Sequence, residues 1–165
     1  MIITSRNDLE IKCEPCSSVE EGEEIGTQLL KELTGSKTGI GLAANQIGVP
    51  LRVFVVNMGV ETDTDNLITL INPEITAMEG SESGEEGCLS IPDVVAEVNR
   101  ATQIEIKAVD LNGKDIRYEA SGILARALQH EMDHLNGILF WDSLGKIKRD
   151  ILKRKFKKKL KEQEE

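Results

Sequence analysis

Histidine is nearly absent from this chain: only two occur in 165 residues, at positions 130 and 134. Aromatic residues make up 3%, so the core must be filled by Ile, Leu and Val. Three cysteines are too few, and odd in number, for a disulfide scaffold, and they read as free thiols or metal ligands. No apolar run approaches the roughly 18 residues of a transmembrane helix. Met1 to Asp8 has neither the basic start nor the apolar centre of a signal peptide, and the expected compartment is the cytoplasm, or a host's cytoplasm for a viral source. A phosphate-binding loop is missing too: residues 35–50 are rich in glycine but lack the Gly-x-x-x-x-Gly-Lys-Ser/Thr order.

What is present is uneven in charge. The net charge is -9, but residues 1–145 carry 10 basic and 25 acidic side chains, a net of -15, whereas residues 146–165 carry 10 basic and 4 acidic, a net of +6. An acidic body disfavours nonspecific nucleic-acid binding. The basic tail, with Ile147, Ile151, Leu152, Phe156 and Leu160 on one stripe, is expected to be a helix packing on the body or meeting a polyanion such as RNA. At this length one domain with a proper core is expected.

The two histidines fall in Gln129-His130-Glu131-Met132-Asp133-His134. From Gly122 to Leu135 the apolar positions Ile123, Leu124, Ala127, Leu128 and Leu135 predict a helix. Residues four apart lie one turn above each other on a helix, so both imidazoles can share one metal ion, with Glu131 beside them to handle protons. This is the His-Glu-x-x-His pattern of metal hydrolases.

A catalytic metal commonly takes three protein ligands. No third histidine exists; the position that would hold it in the long zincin pattern is Phe140, and a glutamate could come only from the tail. A thiolate is the remaining strong donor. Periodicity does not choose among Cys13, Cys16 and Cys88, although Cys88 lies in a glycine-flanked turn between expected strands. Cys13-Glu14-Pro15-Cys16 has the spacing of a redox pair or half a zinc site but lacks the context of either.

Elsewhere the pattern predicts a helix over residues 21–34 ended by Gly35, strands over 51–57, 67–75, 94–98, 102–109 and 114–120, and an Asn-Gly turn at 112–113. Pro73 suggests an edge or bend in its strand. Residues 1–20 read as irregular. Gln46, after two alanines, is expected in a confined place where its amide can donate a hydrogen bond.

Three segments together, Gly39-Ile40-Gly41-Leu42-Ala43-Ala44-Asn45-Gln46-Ile47-Gly48, Glu86-Gly87-Cys88-Leu89-Ser90 and Gln129–His134, resemble the peptide deformylase family in that order. The likeness of layout runs from about residue 9 to about 145. It implies an α+β domain with antiparallel and mixed sheets around a central metal-binding helix. Residues 1–145 would form the catalytic domain and 146–165 a basic C-terminal helix. By that resemblance Cys88, His130 and His134 bind a divalent metal, ferrous iron in cells, with zinc, nickel or cobalt able to occupy the site. Glu131 is then the acid/base, Gln46 and the Leu89 backbone N–H hold the oxyanion, and Glu86 pairs with Arg100 behind the site. Ile40, Gly41 and helix residues near Leu128 border the pocket for a methionine side chain.

The implied reaction removes the formyl group from nascent peptides that begin with N-formylmethionine, releasing formate. The tail would be dispensable for hydrolysis and would place the protein on the ribosome; no membrane contact is expected. The chain departs from the family at Asn45, where proline is usual, at Val95, where some relatives place arginine, and at Pro15-Cys16, where a proline-valine step is usual. Two other functions would use the same residues: a non-catalytic member of this fold that binds peptides or ribosomes, and a structural Cys/His metal module on nucleic acid, whose site would need a fourth protein ligand.

Overall fold

The computed structural model describes residues 2, 6–36, 38–62 and 64–164, with only the backbone at Arg6 and Asn7. Part of the Met1–Asp8 reading, and Lys37 of the glycine-rich stretch, therefore fall outside the described residues.

The centre of the molecule is a five-stranded antiparallel sheet between two helices. Its strands are β1 (Gly41–Ala43), β2 (Val53–Asn57), β3 (Leu67–Glu79), β6 (Gln103–Val109) and β7 (Asp115–Ser121), in the spatial order β1-β2-β3-β6-β7. Side chains alternate across a strand, and β2 uses both faces. Val53 and Val55 join Ile25, Leu29 and Leu33 of helix α2 (Val19–Thr34), while Phe54 and Val56 join Ala125, Leu128, Met132 and Leu135 of helix α3 (Gly122–Leu135). The uninterrupted apolar run of β2 is thus the signature of a doubly covered strand.

Helix α3 has the predicted bounds. Ser121 in extended conformation precedes it, and Gly137 at φ 73 lies just beyond its end, a backbone angle that glycine adopts without strain. The buried stripe is rotated from the one read in the sequence. Ile123 is exposed at the pocket mouth, while Gln129, Glu131 and His134 are buried. Polar residues displace apolar ones because this face forms a site as well as a core.

Three elements differ most from the sequence expectations. Residues 82–88 form a strand, β4 (Glu82–Cys88), paired with β5 (Ile91–Arg100) as a separate hairpin. Ser, Glu and Gly are poor strand formers, so β4 is invisible to propensity and exists through its ladder to β5. Strand β3 continues to Glu79, past Pro73, because a register shift between Ile71 and Glu74 absorbs the proline, with Asn72 at φ 49. A short helix, α1 (Arg6–Leu9), lies in the stretch read as irregular.

The tail is helix α4 (Lys146–Glu164), and its apolar stripe divides. Phe156 is buried, with Leu152 and Leu160 packed beside it, in a third cluster that contains Ile91, Val94, Phe140 and Trp141. Ile147 and Ile151 are 78% and 56% exposed. The Phe156 ring lies 5.7 Å from Trp141, Trp141 lies 5.8 Å from Phe140, and Phe140 stacks 6.3 Å from His130. The middle of α4 is thereby connected to the functional site. Phe156→Ala should cost about 3 kcal/mol in urea unfolding, the lower end for a buried ring. Ile147→Ala/Ile151→Ala should change stability little. Equal losses in the two proteins would mean that the packing of α4 contributes nothing specific. Among the described residues no helix is long and apolar enough to cross a membrane.

Candidate metal centre

Two elements bring three donors to a common point. Helix α3 presents His130 and His134 one turn apart, and the end of β4 presents Cys88. The three ligand atoms lie within 4.8 Å of one another. His134 Nε2 stands 3.1 Å from His130 Nε2 and 3.3 Å from the Cys88 sulfur. Lone-pair donors are held this close only with a proton or a cation between them. A thiolate and two imidazoles are the donors of a borderline-soft divalent ion, and three protein ligands leave a coordination position open for chemistry. The residues fit a catalytic metal.

The surroundings fix His130 firmly. Its Nδ1 lies 3.0 Å from Glu86 Oε2, which leaves Nε2 turned to the site. Arg100 grips Glu86 through both oxygens at 2.7 and 2.9 Å and bonds Asp133 with its remaining arm. Burial would raise the Glu86 carboxyl, but hydrogen bonds from Arg100 and His130 outweigh it and hold it down at about 2. Glu86 is therefore a permanent anion behind the ring. Burial would lower His130, but bonds to Cys88 and Glu86 raise it well above the ordinary value. Burial lowers His134, and the neighbouring His130 charge lowers it further.

Glu131 is 4% exposed, and its Oε2 has no hydrogen-bond partner among the described residues. Burial pushes its carboxyl up to about 7. A Cβ at Gly41 would come within 3.0 Å of the Glu131 side chain, so glycine is what lets β1 close over this carboxylate. Gln46 is 1% exposed. Its Oε1 accepts from the Ala43 N–H at 2.9 Å, which orients the amide so that Nε2 faces Ser90 Oγ at 3.1 Å and the Cys88 sulfur at 3.6 Å. Leu89 and Ser90 make the two-residue turn between β4 and β5.

A cleft of about 650 Å³ opens onto this group, with Ile40, Gly41, Leu89, Ile123, Ala127 and Glu131 among its walls. Leu128 is not one of them. It is fully buried against the sheet, and its helix neighbours Ile123 and Ala127 face the cleft instead. Cys13 and Cys16 lie in two different core clusters, neither joins the donor group, and burial raises each thiol to about 11. They stay protonated and inert at neutral pH.

Sequence reasoning missed two participants and left a third open. Arg126 reaches Glu86 Oε1 at 3.1 Å and the backbone carbonyls of Val98 and Glu82 at 2.7 and 2.8 Å, fastening α3 to the β4–β5 hairpin. Its place four residues before His130 was the available signal. The other is Ser90, against Gln46. Asp133, which the sequence leaves between a place behind the ligands and solvent, bonds Arg100.

Fold and site define a metal hydrolase with a thiolate and two imidazoles as ligands. The family model for polypeptide deformylase matches residues 2–150. A peptide deformylase of Syntrophobacter fumaroxidans is 46% identical over 149 residues, covering 88% of each chain. The crystal structure of a peptide deformylase from Legionella pneumophila superimposes with a TM-score of 0.89 at 36% identity, over 99% of this chain and 96% of that one. The actinonin complex of peptide deformylase from Ehrlichia chaffeensis gives 0.88 at 34% identity, over 96% and 95%. The chain belongs to the polypeptide deformylase family. It is a metal-dependent hydrolase that removes the N-formyl group from formylmethionyl peptides, with a divalent ion on Cys88, His130 and His134.

Proposed function

We propose that Glu131 carries the protons of this hydrolysis. The observation that supports this is a buried carboxylate with an unpartnered oxygen, beside the metal ligands and at the wall of the cleft. The divalent ion, when bound, supplies Lewis acidity that acidifies water and polarises the formyl carbonyl. Glu131 takes a proton from the attacking water as oxygen bonds to the formyl carbon, and returns it to the nitrogen as the C–N bond breaks. Formate and a free amino terminus result. Gln46 Nε2 and the Leu89 N–H donate to the oxyanion as it develops, a contact of about 3 kcal/mol per donor in other acyl-transfer sites. Glu86 and Arg100 keep the His130 ring in place. Ile40, Gly41, Ile123 and Ala127 surround the methionine side chain. Ferrous iron is the proposed ion in cells, and this donor set also suits zinc, nickel or cobalt.

Protein purified anaerobically with iron should release one formate per formyl-Met-Ala-Ser consumed, measured by a coupled formate assay. A fully metallated protein that releases none would favour the non-catalytic, peptide-binding reading.

The division of labour proposed for the chain is catalysis by residues 1–145 and placement by 146–165, in the cytoplasm. Helix α4 opposes its exposed lysines and the uncovered Ile147 and Ile151 to an acidic body, a suitable arrangement for ribosomal RNA. Because Phe156 is buried, the test leaves the helix in place. Lys148→Glu/Lys155→Glu should weaken ribosome cosedimentation and leave formate release unchanged, and added salt should weaken binding of the unaltered protein. Binding indifferent to both charge and salt would remove the proposal.

A further inference from the structure

The two histidines are held by different means. His130 is fixed through its ring, by Glu86. The His134 ring is buried, and its Nδ1 has no partner among the described residues, so no bond from them on that side of the ring sets its orientation. Besides the packing around it and the contacts of its Nε2, its position is set by its own backbone, in the last turn of α3, where the helix has exhausted its internal hydrogen bonds. The His134 carbonyl accepts two donors from outside the helix ladder. One is the Gly137 N–H at 2.9 Å, which only closes the turn upon itself. The other is the side-chain amide of Asn45, at 2.5 Å, from across 89 residues of sequence.

Asn45 is 2% exposed and commits both amide protons. The second reaches the carbonyl of Leu9 at 3.4 Å, at the end of α1, while its oxygen is buried with no partner among the described residues. It stands next to Gln46 in a single 3-10 turn, Ala44–Ile47. Successive residues of such a turn point about 120° apart, so adjacent side chains reach different neighbours. Gln46 reaches Cys88 and Ser90 on the β4–β5 side, and Asn45 reaches the end of α3. One rigid turn thus touches both elements that must meet to form the donor set.

We propose that Asn45 is a positioning residue for His134, its buried amide holding the last turn of α3 in register with the turn that carries Gln46. This rests on Cys88, His130 and His134 being the ligands. Without the amide the His134 carbonyl loses its one long-range anchor among the described residues, and the ring would sample positions away from the Cys88 sulfur.

The test uses the full chain loaded with cobalt(II), as wild type, Asn45→Ala, Asn45→Asp and, as a control, Asn72→Gly. Asn72 makes two comparable long-range bonds, to the Cys16 N–H and carbonyl, far from the donors, and glycine accepts its φ of 49. Three quantities are read: the thiolate-to-cobalt charge-transfer band, the rate of metal release to a chelator, and the urea midpoint. Asn45→Ala should shift the band and speed release about 10-fold or more, as loss of an outer partner of a ligand does elsewhere. Asn45→Asp, which presents an acceptor to an acceptor, should do more. Asn72→Gly should lower the midpoint while leaving band and release as in wild type. Should Asn45→Ala fail to fold, Asn45→Ser, with a shorter donor, should give an intermediate release rate. Release at the wild-type rate overturns the proposal. So does release that simply tracks lost stability across Asn45→Ala and Asn72→Gly, which would make Asn45 an ordinary core residue. A wild-type protein without a thiolate band would overturn the ligand assignment itself, and is thereby distinguished from a failure of Asn45 alone.

Discussion

Glu131→Gln should lose about 10²-fold or more in turnover while keeping its metal, since a positioned general acid–base contributes on that order. Glutamine preserves the shape of a side chain that is 4% exposed and packed against Gly41, so the pocket should stay closed. What it removes is the oxygen proposed to accept and return a proton. No ligand is touched: the donor atoms belong to Cys88, His130 and His134, and the Glu131 carboxylate makes no hydrogen bond with them among the described residues. Metal content should therefore match wild type, and the loss should appear in kcat more than in KM. Undiminished turnover would exclude Glu131 from the chemistry. Parallel loss of metal would mean instead that its charge helps to hold the ion.

Cys88→Ala should lose metal and activity together, whereas Cys13→Ala/Cys16→Ala should keep both. Removing a direct ligand should exceed the roughly 100-fold loss of affinity that follows removal of an outer partner. It also leaves two imidazole nitrogens 3.1 Å apart with no anionic donor to share the ion. The double variant removes two sulfurs from separate core clusters, each 8% exposed or less, at a cost of about 1 kcal/mol apiece in stability. Elemental analysis and urea unfolding read the two effects independently. Equal metal depletion in both proteins would remove the distinction between one ligand thiol and two buried ones.

The sequence by itself determined helix α3 and the use of its histidines. Two imidazoles four apart, among apolar residues of helical period, are a local pattern, and a helix of that pattern must place them on one face. It also determined β2, whose unbroken apolar run admits no solvent-facing side, and the helical, basic character of the tail. The choice among three cysteines was not local; it came from family resemblance, and the structure places Cys88 alone with the histidines while Cys13 and Cys16 face the core.

Only the tertiary structure decided the rest, because each remaining feature joins residues far apart in the chain. Strand β4 has no propensity of its own and forms through its partner. Phe156 is buried while Ile147 and Ile151 are not, because Trp141 covers one end of the stripe only. Leu128 enters the core and Ala127 the cleft, a difference of one position that a helical wheel with an unknown zero angle does not fix. Arg126, Asp133 and Asn45 acquire meaning from Glu86, Arg100 and the carbonyl of His134. A side chain's local sequence specifies its helix or strand, but its hydrogen-bond partner is whatever buried group the packing brings within about 3 Å.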